Sequence, residues 1–184
     1  MLVELEIHAV AGTPSDTDRS MVLLKEKHGE RILPMMMSTR RALTLMMRTK
    51  VPMPMPVATN IPDAAILMMS KFGVRLTQIV LTAIKDGTFF CQVHAEREGE
   101  EKLLEFCPAA DGLVLASSAQ CAIMIEEELL EAQYMHKTGE NSFAININTL
   151  TRKMLEDALQ HAVETENYEA ASRLRDELAK RPAE

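Results

Sequence analysis

The stretch Leu103–Gln120, LLEFCPAADGLVLASSAQ, decides the fold of this chain of 184 residues. It predicts a strand that ends at Pro108, then a turn, then a helix made of small residues. An earlier stretch, Ile32–Met47 (ILPMMMSTRRALTLMM), has the same pattern. The two stretches therefore predict equivalent parts of a duplicated fold.

The repeat extends over both halves of the chain. Leu33 falls on Leu104 and Ala42 falls on Leu113, so the offset is 71 residues in each pair (104 − 33 and 113 − 42). Each half carries three predicted strands followed by two predicted helices. Because short strands alternate with local helical returns, we expect an α+β domain. Its duplicated three-strand, two-helix unit should form one curved or barrel-like sheet with peripheral helices.

Three short segments of this domain carry local expectations. Turn-forming residues make Gly12–Ser20 a predicted loop. Gly29 is expected to supply a positive φ at the turn of the hairpin that follows. Cys121–Ile125 is a short apolar segment in the second half.

The pattern changes towards the C-terminus. We expect a domain at 1–135, a linker at 136–148 and a helical hairpin at 149–181. The start of the linker, HKTGENS, is polar and contains glycine. Apolar stripes that begin at Met154 and at Tyr168 have i, i+3/i+4 spacing, which predicts the two helices of the hairpin.

The formal net charge of −7 argues against nucleic acid as a default partner, because such binding depends on neutralising phosphates. The charge is uneven, however. Residues 25–50 carry seven basic and two acidic side chains, whereas residues 94–131 carry two basic and ten acidic ones. Three interpretations stay open: ordinary solvated faces, a local anion-binding patch, or two poles that pair between subunits. The candidates for nucleic-acid binding are Arg40, Arg41, Arg48 and Lys50.

Methionine is abundant, and nine of the fourteen lie between Met35 and Met69. Methionine fills irregular apolar cores and adaptable interfaces. Together with the opposite charge poles, this segment leads us to expect a homo-oligomer.

The composition predicts a cytoplasmic protein with no membrane segment. No apolar run approaches the roughly 18 residues that a membrane helix needs. The N-terminus carries acidic residues and no basic region typical of a signal peptide. The three cysteines lack a C-x-x-C pairing, which favours a reducing compartment.

Composition and spacing alone provide no active site. The five histidines are scattered, and no two of them have the spacing of metal ligands. The chain also lacks a glycine-rich phosphate loop and a G-x-S-x-G elbow.

The order of segments over residues 2–135 resembles the bifunctional nuclease domain. The resemblance rests on that order and on anchors such as Leu33-Pro34 and Lys85-Asp86-Gly87-Thr88-Phe89. It implies a duplicated three-strand, two-helix architecture and a nuclease that acts on RNA and DNA. Such hydrolysis would use Mg²⁺ or Mn²⁺, because phosphodiester cleavage commonly relies on a divalent cation.

Most polar signatures of that family are replaced here. The family pattern Asp-x-Arg-Pro-Ser-Asp-Ala falls on the segment 105–111, where Glu105 substitutes one acid for another and Asp111 is displaced by one position. The pattern Arg-Pro-Leu-Thr-His-Asp falls on 55–60, where Asn60 stands at the place of the acid. The resemblance therefore makes Glu105, Asp111 and Asn60 the catalytic candidates.

Residues 150–181 resemble the UVR motif, the helical hairpin named after the UvrB and UvrC repair proteins. The run Asn167-Tyr168-Glu169-Ala170-Ala171, followed by Leu174-Arg175-Asp176, carries the resemblance. It implies a protein-docking hairpin, with the contacts made by Tyr168, Ala171, Leu174, Arg175 and Asp176. The alternative is a hairpin that packs on its own domain or closes a dimer.

Two hypotheses follow. The first is a family nuclease that still binds or cleaves DNA or RNA through its basic segment. The second is a non-catalytic regulatory or adaptor protein that docks a protein partner through residues 149–181.

Overall fold

The structure is a computed structural model that describes residues 1–13, 16–50, 61–137 and 143–181. The first half contains β1 (Leu2–Thr13), β2 (Asp16–Glu26), β3 (Ile32–Ser38), α1 (Thr39–Lys50) and α2 (Ile61–Lys71). The second half contains β4 (Val74–Lys85), β5 (Thr88–Arg97), β6 (Glu100–Pro108), α3 (Ala109–Ala119), β7 (Ala122–Glu126) and α4 (Glu127–Gln133). The C-terminal part contains β8 (His136–Lys137), β9 (Phe143–Ala144), a 3-10 helix (Ile147–Thr149), α5 (Arg152–Glu164) and α6 (Tyr168–Ala179).

Seven strands form one sheet in the order β3-β2-β1-β7-β4-β5-β6. Strand β7 lies at the centre, where it is antiparallel to β1 and parallel to β4. The sheet curls into a half-barrel, so that β3 at one edge contacts β5 near the other edge. The predicted α+β fold, with one curved sheet, helices and a C-terminal helical pair, is confirmed.

The predicted repeat is visible in the positions of the elements. Strands β2 and β5 begin at Asp16 and Thr88, 72 residues apart (88 − 16), and β3 and β6 end at Ser38 and Pro108, 70 residues apart (108 − 38). Each of these three-strand meanders continues directly into a helix, α1 or α3. The halves differ after that helix, because β7 intervenes between α3 and α4.

Two local predictions were wrong. Much of the predicted loop at Gly12–Ser20 is paired strand, since Gly12 lies opposite Ser20 in the ladder between β1 and β2. Ladder hydrogen bonds satisfy the backbone there, which allows turn-forming residues to continue a strand. Gly29 does not have a positive φ. Its turn contains the four residues between Glu26 and Arg31. Hairpin loops of this length are most often built around a type I turn, which needs no positive φ.

The helices pack on the sheet around one apolar core. The middle of β3 is buried throughout, and Met35 and Met37 belong to the core. Helix α3 packs against both α1 and α2, so it lies between them. Within the described ranges, no helix has both the length and the apolar character that crossing a membrane requires.

The C-terminal hairpin has an apolar cluster of its own, centred on Leu155, Ala162, Ala171 and Leu174. The Asn167 side chain accepts a hydrogen bond from the Ala170 N–H and caps α6. Arg181 is buried and donates to the carbonyl oxygens of residues 147, 148 and 150, which ties the end of α6 to the segment before α5. The hairpin touches the sheet domain at the β4–β5 turn, where Gly87 lies against the Leu150 carbonyl.

Candidate functional site

A cleft of about 510 Å³ opens between α1, the start of α2 and α3. Its lining includes polar side chains from α1 and α3 and apolar ones from α2 and α3. The lining residues are Ser38, Arg40, Arg41, Thr44, Ile61, Pro62, Ala65, Asp111, Val114 and Leu115. The cleft therefore lies where the two equivalent strand-to-helix junctions of the repeat approach each other.

Arg41 and Asp111 join these two junctions across the cleft. The Arg41 guanidinium donates from Nε to Oδ1 at 2.6 Å and from Nη2 to Oδ2 at 3.2 Å. This two-pronged geometry uses both carboxylate oxygens. Arg40 lines the same cleft and forms no ion pair with any residue in the described ranges. With two guanidinium groups and one carboxylate, the charged lining has a net charge of +1 (2 − 1).

A second arginine–aspartate pair lies behind the cleft, in the interior. The Arg48 guanidinium of α1 donates to Asp63 Oδ2, and Ser118 Oγ of α3 donates to Asp63 Oδ1 at 2.7 Å. The Asp63 side chain is fully buried. This network joins α1, α2 and α3, and it holds the helices that form the cleft.

The sequence-predicted site residues do not all meet. Arg40, Arg41 and Asp111 share the cleft, whereas Arg48 is bound to Asp63. Glu105 is exposed on β6 and is absent from the cleft lining. It lies at a bulge, because the ladder with β5 shifts register between Leu104 and Cys107. Asn60 lies outside the described residues, as does the side chain of Lys50.

Sequence reasoning missed Asp63, a fully buried carboxylate beside the cleft. The family pattern directed attention to position 60, three residues earlier. One signal was available, because an acid in the first turn of a helix is favourable and Asp63 occupies that turn of α2. Ser118 gave no such signal, since nothing in a run of small residues marks the one that meets a carboxylate.

The divalent cation that the resemblance implies does not fit these residues. Both oxygens of Asp111 accept from Arg41, and both oxygens of Asp63 accept from Arg48 and Ser118. A cation at either carboxylate would meet the positive charge of the arginine that is bound there. The described part of the chain contains no group of three or more His, Cys, Asp or Glu side chains that could hold a metal ion.

The residues predicted for protein docking divide into two groups. Ala171 and Leu174 are buried in the hairpin's own cluster. Tyr168 is 69% exposed, and Arg175 and Asp176 are exposed and approach each other at 3.4 Å. Only the second group faces solvent, so only these side chains can meet a partner while the hairpin stays closed.

The tip of the hairpin carries a further apolar side chain that the sequence stripe did not include. Val163, in the last turn of α5, is 52% exposed, and Tyr168 begins α6 on the other side of the turn. We call Val163 and Tyr168 the hairpin tip. We take these two exposed side chains as the candidate apolar contact residues of the hairpin.

Two family models match the chain. The model described as bifunctional nuclease domain matches residues 22–138, and the model described as UvrB/uvrC motif matches residues 146–180. No curated protein matches the sequence significantly.

Proposed function

Since the chain belongs to the bifunctional nuclease domain family and its C-terminus matches the UvrB/uvrC motif, we propose that it is a docking protein. In this proposal the cleft does not hydrolyse phosphodiesters, and the hairpin binds a protein partner. The family assignment supports the scaffold, and the motif supports the docking role.

One observation carries the proposal: the carboxylates at and behind the cleft are already engaged by arginines of α1. Metal-assisted hydrolysis needs carboxylates that can hold a cation and a polar group that positions water. Asp111 is held by Arg41 through both oxygens, and Asp63 is buried against Arg48. A cation at either carboxylate would have to compete with an arginine that already neutralises its charge.

The hairpin supports the docking role through its exposed side. Its cap at Asn167 and its anchor at Arg181 keep the two helices closed, so the contact surface is preformed. Preformed surfaces bind with a smaller cost in conformational entropy. The hairpin tip supplies the apolar contact, and the Arg175 and Asp176 side chains supply a charged rim.

The experiment is affinity capture with the full-length chain, followed by quantitative mass spectrometry. The test variant is Val163→Ser/Tyr168→Ser, which removes the apolar tip and leaves the hairpin core intact. The matched control is Phe72→Ser, because Phe72 is 68% exposed next to α2, outside the hairpin. We expect the tip variant to lose specific partners that the control retains. Equal recovery by all three proteins would refute docking through the tip.

A second candidate function is retained action on DNA or RNA. The observation in its favour is Arg40, which lines a cleft of net positive charge. Arginine in such a position contacts phosphate without reading sequence. Fluorescence anisotropy with labelled single strands measures this binding. Arg40→Ala should weaken it at least several-fold and lower its salt dependence if the cleft is the contact site. Unchanged affinity would dismiss the cleft as that site.

Three finer proposals concern organisation and setting. We place the docking protein in the cytoplasm, and the three free cysteines support that placement. We also propose a homo-oligomer, which sedimentation would test. The division into 1–135, 136–148 and 149–181 remains our proposed domain organisation.

A further inference from the structure

Two cysteines lie directly opposite each other on neighbouring strands. Cys91 on β5 and Cys107 on β6 are register partners in an antiparallel ladder, and both are free. Opposite residues in such ladders have Cα atoms about 4.5–5.5 Å apart, which is within the range that a disulfide spans. We infer that Cys91 and Cys107 form an oxidisable dithiol that closes to a cross-strand disulfide.

The surroundings place both sulfurs in one small space. The Cys107 thiol raises the pKa of Cys91, and the Cys91 thiol lowers the pKa of Cys107, because the two side chains are close enough to interact. The Cys91 sulfur also lies against Gly112 of α3, at the place where any larger residue would put its Cβ. The third cysteine, Cys121, lies next to the central strand and is not in register with another cysteine. It is therefore an internal control.

The two thiols differ in access and in acidity. Cys91 is fully buried, and burial raises its pKa to about 12. Cys107 is partly exposed, and burial and the neighbouring Asp111 raise its pKa as well. The Cys91 thiol, the Gly112 N–H and Arg41 oppose that rise. Cys107 is therefore the thiol that an oxidant meets, and Cys91 is the one that resolves the product.

The reaction balances with a hydroperoxide as the oxidant. The Cys107 thiolate attacks one oxygen of the peroxide, the O–O bond breaks, and an alcohol or water leaves. The Cys107 sulfur is then a sulfenic acid. The Cys91 sulfur attacks it, the S–S bond forms, the S–O bond breaks, and the hydroxide leaves as water with the Cys91 proton. Two thiols and one hydroperoxide give one disulfide, one alcohol or water, and one water.

The bond would act next to the cleft. Cys107 directly precedes Pro108, which leads into α3, and Asp111 follows in the first turn of that helix. Strand β6 is an edge strand with a bulge beside Cys107, so it can shift more readily than a central strand. A disulfide would tie the Cys107 sulfur to the Cys91 sulfur, which lies against Gly112 of α3. The oxidation state is thereby linked to the position of Asp111.

The test uses the full-length protein and hydrogen peroxide at mildly alkaline pH. After the thiols are blocked, trypsin and an Asp-specific protease produce one peptide for each cysteine, 86–97, 103–110 and 111–137. We expect 86–97 to be linked to 103–110, while 111–137 keeps its thiol. Reduction should restore all three thiols. Cys121→Ser should leave the link unchanged, and Cys91→Ala should leave Cys107 to oxidise further to a sulfinic acid.

Three results would overturn the inference. The first is a sulfinic acid at Cys107 in the unaltered chain while Cys91 stays reduced. The second is a link that involves 111–137. The third is retention of both thiols under conditions that oxidise the urea-unfolded chain. Each of these is read on the unaltered protein, so the inference does not depend on whether a variant folds.

Discussion

Helix α1 contributes to two arginine–aspartate pairs through arginines that are seven residues apart. One pair is buried and the other is exposed. Arg48 reaches inward to Asp63, where both side chains are shielded from water and Ser118 completes the network. Arg41 reaches across the open cleft to Asp111, where both side chains remain almost half exposed. The chemical groups are the same, but the surroundings differ.

The difference separates a structural pair from a surface pair. A buried carboxylate that loses its partner leaves a charge stranded in the interior, which is strongly destabilising. An exposed pair gains little, because water and salt screen it. The interior pair therefore holds the helices together, and the cleft pair mainly determines what the cleft can bind.

The largest effect should come from removing the interior carboxylate. Asp63→Ala removes the carboxylate that pairs with the buried Arg48 guanidinium, so the free energy of unfolding should fall by about 3–5 kcal/mol. Urea denaturation measures it. Asp111→Ala is the matched control and should cost less than about 1 kcal/mol, because that pair is exposed. Equal losses in the two variants would erase the distinction between the pairs.

Removing the serine of the interior network should have an intermediate effect. Ser118→Ala removes one buried hydrogen bond to Asp63 Oδ1, which should cost about 1–3 kcal/mol. Ser117→Ala serves as the control, since Ser117 is the buried neighbour of Ser118 on α3 and Asp63 accepts from Ser118 instead. In the double variant Asp63→Ala/Ser118→Ala, the two losses should not add, because they share one network. Additive losses would argue that the serine acts independently.

Opening the cleft pair should change ligand access more than stability. Arg41→Gln frees both oxygens of Asp111 and should lower the unfolding free energy by less than about 1 kcal/mol. Binding of Mn²⁺, followed by calorimetry, should be stronger in this variant than in the unaltered chain. If the variant and the unaltered chain bind Mn²⁺ equally, Arg41 does not control the carboxylate.

A third arginine, Arg31, extends the comparison to pH and should give the smallest effect. It bonds to Glu26 and Glu127, and these bonds hold the pKa of both carboxyl groups below the usual value. Their contribution to stability is therefore present above a pH of about 4.5, the unfolded value, and is lost as pH falls through the lower folded pKa. Arg31→Ala should reduce stability at pH 7 and cease to matter under strongly acidic conditions. A loss that does not depend on pH would point to packing instead.

The sequence predicted the fold well because each half of the repeat shows its strand-to-helix pattern in neighbouring residues. Two strands lead directly into helices, one at Ser38 and the other at Pro108. Both are visible in the sequence as apolar runs followed by small residues. Strand β7 escaped assignment, because its five residues show too few alternations to identify a strand. Its central place depends on pairing with β1 and β4, which are far away in sequence.

The site was less predictable, because it depends on which side chains meet across helices. The basic segment correctly pointed to Arg40 and Arg41 as neighbours of one cleft with Asp111. Nothing in the sequence indicated that Arg48, on the same helix, faces a buried aspartate. Glu105 was selected by its position in a family pattern, but the bulge in β6 lies at that point.

The most direct test of the central claim is a cleavage assay on single- and double-stranded DNA and RNA, with Mg²⁺ or Mn²⁺. The account predicts no cleavage by the unaltered protein above the level of a sample in which the metal is removed with EDTA, because the cleft carboxylate is held by an arginine. Metal-dependent cleavage that is lost in Arg40→Ala/Arg41→Ala or in Glu105→Ala would contradict it and would establish the chain as a working nuclease.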